Sequence, residues 1–170
     1  MQSRVHRRRV LYLSTRNAVR SVMAEAWLRQ TGGDAVEAES AGTEPAGDID
    51  PLAVRVMHEV GIDVSSVRPR SIAGLRGEDY DLVIVLNGRR AEDAPRLEGG
   101  REVATWTFDD PTTAEGTDEE RLKALRRLRD ELRTRVGLFV NATLQRPAPP
   151  ASAGGERRVN DQETPVGPGS

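Results

Sequence analysis

The chain has no cysteine anywhere in its 170 residues. Disulfides, thiolate metal sites and every mechanism that needs a thiol are excluded by that absence. No apolar run approaches the ~18 residues of a membrane span. The first residues also lack the apolar stretch of a secretory signal, because Arg7, Arg8 and Arg9 lead straight into a short strand-like segment. The expected compartment is therefore the cytoplasm, with no membrane partner. Neither sign of charge dominates: Lys and Arg number 25, Asp and Glu 27, for a net charge of −2. Such a balance gives no electrostatic case for nucleic acid. Arg4 and Arg7 to Arg9 read as a solvated start rather than a functional patch. Histidine is scarce too, limited to His6 and His58, and no metal or cofactor motif stands out.

What is present is the pattern of one α/β domain, as the length allows. Val10-Leu11-Tyr12-Leu13 follows charges and reads as a buried strand. A polar turn, Ser14 to Arg20, precedes a helix with Met23, Trp27 and Leu28 on one face, which Gly32-Gly33 ends. Ala35 to Ala41 reads as a second strand. Asp50-Pro51 starts a helix, with Asp50 as cap, and Gly61 terminates it. Tyr80 to Leu86 is expected to be a central parallel strand, and Glu102 to Phe108 the last one. Thr117 with Glu120 spells a capping box. Behind it Leu122, Leu125, Leu128, Leu132, Val136, Phe139 and Val140 form one apolar stripe. Residues 1–146 are expected to fold as one domain. Residues 147–170, rich in Pro, Gly and Ala, are expected to be a disordered tail. Alternating strands and helices imply a four-stranded parallel sheet with helices on both faces, a three-layer αβα sandwich.

In such sheets ligands bind where strand ends feed helix starts, and Ser14 to Ser21 occupies such a point. Backbone N–H groups and the helix dipole would favour an anion there. Arg20 adds a planar cation suited to phosphate or arsenate, and Ser14 and Ser21 add hydroxyls. The plainer reading is a strand-to-helix turn with Ser14 as the helix cap and Arg20 in solvent.

The segment Val10 to Glu25, with Ser14-Thr15-Arg16-Asn17-Ala18-Val19-Arg20-Ser21 at its centre, resembles the phosphate loop of the low-molecular-weight phosphatase and arsenate reductase superfamily. Ser14 stands where that family has its nucleophilic cysteine, and Arg20 at its arginine. Asn17 matches the asparagine that braces the loop, and Ser21 the hydroxyl that supports the thiolate. Glu39-Ser40-Ala41-Gly42-Thr43, Asp50-Pro51 through Asp63, and Trp106 through Pro111 continue the resemblance over about residues 9–142. It implies an oxyanion-binding loop at Ser14, Thr15, Arg16, Asn17, Ala18, Val19, Arg20 and Ser21, with Asp110 as general acid and base. The implied ligand is phosphate, arsenate or a phosphorylated molecule.

Two departures follow from the missing thiols. The positions of the family's resolving cysteines hold Asn87 and Ala94, so thiol-exchange reduction of arsenate has no residues to run on. Ser14 is far less acidic than a cysteine and has no neighbouring base in the loop. Arg16, where the family has a small residue, adds a second cation or points to solvent. The chain is thus expected to be an oxyanion-binding pseudoenzyme. The alternative is a phosphatase-like hydrolase using Ser14 as nucleophile and Asp110 for its protons. A cysteine-free variant made by design is a third reading, against which Asn87 and Ala94 look like drift rather than design.

Overall fold

The computed structural model describes residues 7–75, 77–87, 102–111 and 115–144. Four strands form one sheet: β1 (Arg8–Ser14), β2 (Val36–Gly42), β3 (Leu82–Asn87) and β4 (Val103–Thr107). They lie in the order β2-β1-β3-β4 and every pairing is parallel. β1 and β3 are the inner strands, which explains why both read as continuous apolar runs. Val10 to Leu13 and Val83 to Leu86 have no exposed surface. The third strand starts two residues later than its sequence suggests. Tyr80 is buried, but its hydroxyl donates to Glu39 Oε2 at 2.6 Å. That side chain is used to tie the chain to β2 before the β3 ladder begins.

Three α-helices, α1 (Arg20–Gly32), α2 (Pro51–His58) and α3 (Asp118–Phe139), pack on one face of the sheet. Their apolar residues close over Val10, Tyr12, Ile84, Leu86 and Trp106. The other face carries Leu11, Leu13, Ala41, Val83 and Val85, against Tyr80 and the short 3-10 helix Ile72–Leu75. The sheet is therefore covered by helical elements on both faces, an α/β sandwich.

The start and stop signals act as local physics requires. Asp50 Oδ1 accepts the Leu52 N–H at 2.8 Å ahead of α2, and the turn after α2 closes at Gly61 with φ +81°. Gly33, at φ +51°, ends α1. Thr117 and Glu120 form a reciprocal capping box at the head of α3. Leu122, Leu125, Leu128, Leu132 and Val136 are buried along that helix, while Phe139 is half-buried against Trp106, ring centroids 6.1 Å apart. The helix widens into a π-helical turn at Val140–Leu144. Ala94 and the segment 147–170 lie outside the described residues. No helix among the described residues is long and apolar enough to cross a membrane.

This topology places the end of β1 at a switch point. The chain leaves β1 through α1 to reach β2 on one side, then returns across β1 to β3 on the other. Connections that diverge in this way open a crevice at the strand's C-terminal end, and Ser14 is the last residue of β1.

Candidate functional site

Five residues, Thr15 to Val19, join β1 to α1. Ser14 does not cap the helix: the cap position is Val19, which offers no side-chain acceptor. The first N–H groups of α1 therefore have no capping oxygen from that residue.

The loop is held from outside by the segment that follows β2. The carbonyls of Ser14, Thr15, Arg16 and Ala18 accept from the N–H groups of Thr43, Glu44, Ala46 and Asp50, at 2.8 to 3.2 Å. In a planar trans peptide the N–H of the next residue points opposite to the carbonyl. The N–H groups of Thr15, Arg16 and Val19 are thus turned away from the 43–50 segment. Gly42 lets the two segments approach this closely, because a Cβ there would lie 2.7 Å from the Thr15 carbonyl oxygen.

Asn17 sits at the centre with φ +51° and is almost fully buried. Its Nδ2 donates to Ser21 Oγ and Ser40 Oγ, both at 2.9 Å, and its Oδ1 accepts the Arg70 N–H at 2.9 Å. Ser40 in turn donates to Glu25, whose other carboxylate oxygen pairs with Arg29 at 2.8 Å. Burial pushes the Glu25 carboxyl up, an effect that the Ser40 hydroxyl and Arg29 partly offset. Asparagine tolerates the left-handed conformation better than most residues because its short polar side chain bonds locally.

Ser14 Oγ lies 2.7 Å from Ser21 Oγ and accepts the Asn17 N–H at 3.2 Å. Neither neighbour is a base. His58 is exposed on α2, outside the residues lining this cleft, and His6 lies outside the described residues.

The Arg20 guanidinium is anchored beside Asp110, Nη2 to Oδ2 3.6 Å, with 12% and 30% of the two side chains exposed. Its other terminal nitrogen, Nη1, is buried and has no hydrogen-bond partner among the described residues. A guanidinium nitrogen left this way costs free energy unless something accepts from it.

Ser14 to Arg20, Ala46, Asp48 to Pro51 and Asp110 surround a cleft of about 620 Å³. The structure thus brings together Ser14, Thr15, Arg16, Asn17, Ala18, Val19, Arg20 and Asp110, with Ser21 directly beneath Ser14. Arg16 is exposed on the cleft's rim. Sequence reasoning named Asp50 and Pro51 only as a helix start and passed over Ala46, Asp48 and Ile49 of the far wall and the buttress at Arg70. Their role at the site depends on contacts distant in the chain. No group of three or more His, Asp or Glu able to hold a metal occurs among the described residues.

Comparison with known proteins adds four findings. The model of the family described as low molecular weight phosphotyrosine protein phosphatase matches residues 9–147. The arsenate reductase of Halalkalibacterium halodurans is 41% identical over 130 residues, covering 76% of this chain and 93% of that protein. Among solved structures, an arsenate reductase from Archaeoglobus fulgidus superposes with a TM-score of 0.65 at 27% identity, over 78% of this chain and 98% of that one. An arsenate reductase in the phosphate binding state gives 0.67 at 29%, over 79% and 98%.

Proposed function

We propose that this chain, which belongs to the low molecular weight phosphotyrosine protein phosphatase family, binds a tetrahedral oxyanion such as phosphate or arsenate above Ser14 and does not turn it over. The observation that carries the reading is Arg20: a guanidinium fixed beside Asp110, with Nη1 buried and no acceptor among the described residues. An oxyanion in the loop supplies that acceptor. It also meets N–H groups already turned from the 43–50 segment, and the start of α1. A similar protein, an arsenate reductase, has been solved in a phosphate binding state.

Binding without chemistry follows from what surrounds Ser14. A thiol relay has no cysteine to use. A serine nucleophile needs a base to take its proton, and among the described residues the Ser14 hydroxyl hydrogen-bonds another hydroxyl and a backbone N–H. Asp110 would be the proton donor if Ser14 attacked, and in a binding protein it instead orients Arg20. A crystal structure determined in phosphate or arsenate tests this: the anion should sit above Ser14 within hydrogen-bond distance of Arg20 and the loop amides. An empty loop at high anion concentration, or an anion bound elsewhere, would reject the reading.

A further inference from the structure

The aromatic inventory of the chain bears on what the oxyanion is attached to. The whole sequence contains two Trp, two Tyr and two Phe. Tyr12, Trp27 and Trp106 are buried in the core beneath the helices, and Tyr80 is buried on the opposite face with its hydroxyl on Glu39. Phe108 and Phe139 pack against the same core as Trp106. None of these six lines the cleft above Ser14. The sequence holds no further Phe, Tyr or Trp.

On the wall facing the loop, Ala46, Ile49 and Pro51 supply aliphatic surface, interrupted by the exposed Asp48 and the half-buried Asp50. At about 620 Å³ the cleft is far larger than one tetrahedral oxyanion. It falls within the ~300–1,000 Å³ typical of sites that enclose small organic ligands. We infer that the ligand of this site is an aliphatic phosphomonoester, whose phosphate occupies the loop and whose carbon chain lies along Ala46, Ile49 and Pro51. An aryl phosphate finds no aromatic face to stack on. This rests on the oxyanion reading above and adds the ligand class to it.

Calorimetric titration of the full chain with inorganic phosphate, n-propyl phosphate and phenyl phosphate tests the inference. Propyl phosphate should bind about tenfold more tightly than inorganic phosphate, the gain expected from roughly two buried methylenes. Phenyl phosphate should be no tighter than propyl phosphate. Inorganic phosphate binding as well as propyl phosphate would overturn the inference in favour of a bare-oxyanion site, with the oxyanion reading intact. Phenyl phosphate binding clearly tighter than propyl phosphate would overturn it in favour of an aryl ligand. Failure of all three to bind would remove the oxyanion reading and the inference together. Asp48→Tyr places a ring on the exposed rim without disturbing the core. Loss of the Asp48 charge acts on both anions alike, so the ring should show as a gain for phenyl phosphate about fivefold larger than the gain for inorganic phosphate, the scale of one aromatic contact. A gain for phenyl phosphate no larger than that for inorganic phosphate in that variant would contradict the claim that a missing ring is what disfavours aryl ligands.

Discussion

Replacing Asn17 with alanine removes the joint of the loop, and the structure sets the size of the effect. Three hydrogen bonds of 2.9 Å are lost, and Ser21, Ser40 and the Arg70 N–H each lose a partner in a buried setting. At a net ~1 kcal/mol per bond, that is about 3 kcal/mol. Alanine must also hold φ +51°, which adds ~1 kcal/mol or more. The sum, about 4 kcal/mol, corresponds to a fall in Tm of roughly 8–16 °C for a chain of this length. Asn17→Gly loses the same bonds without the left-handed penalty, so it should fall by about 1 kcal/mol less. Differential scanning calorimetry of the three proteins reads both differences. A drop below about 3 °C for Asn17→Ala, or a glycine variant less stable than the alanine one, would refute the reasoning.

Three further outcomes follow from other parts of the molecule. The Tyr12 hydroxyl is buried without a hydrogen-bond partner among the described residues, so Tyr12→Phe should raise stability by ~1 kcal/mol in denaturant unfolding rather than lower it. The Arg126 and Arg129 guanidinium groups hold the Glu59 carboxyl at about 2, below its ordinary 4.5. A depressed carboxyl adds stability above its unfolded value and loses it as pH falls towards the folded one. The Tm advantage of the native chain over Glu59→Gln should therefore fade between pH 4.5 and about 2, and an advantage independent of pH in that window would contradict it. Ser14→Cys should yield a thiol that ionises well below the free value of ~8.5 and slow but measurable hydrolysis of an activated phosphate ester; an inert cysteine of ordinary acidity would show that the loop does not stabilise negative charge.

Much of the fold was legible because its signals are local. The Asp50-Pro51 start of α2, the Thr117–Glu120 box and the leucine stripe of α3 each depend on residues within a few positions, and each takes the form its sequence announces. The buried strands were legible from their apolar runs, except where Tyr80 serves a cross-chain bond to Glu39 instead of the ladder. At the site, the residues of the loop could be named from a contiguous motif. What holds them could not, since Gly42, the 43–50 amides and the Arg70 N–H reach the loop from 27 to 53 residues away and leave no periodic trace. Nor does a serine in a motif announce its partners. That the Ser14 hydroxyl hydrogen-bonds Ser21 and the Asn17 N–H, and no base among the described residues, is a fact of packing.

The most direct test of the oxyanion site is the titration of inorganic phosphate into the native chain and into Arg20→Ala. Charge-assisted contacts from the guanidinium are worth ~1.5–3 kcal/mol each, so losing them should weaken binding at least about tenfold. The native chain should show saturable binding of one phosphate, and Asp110→Ala should retain or improve it by removing a nearby negative charge. Absence of phosphate binding to the native chain, or equal affinity in Arg20→Ala, would contradict the claim that this loop is an oxyanion site.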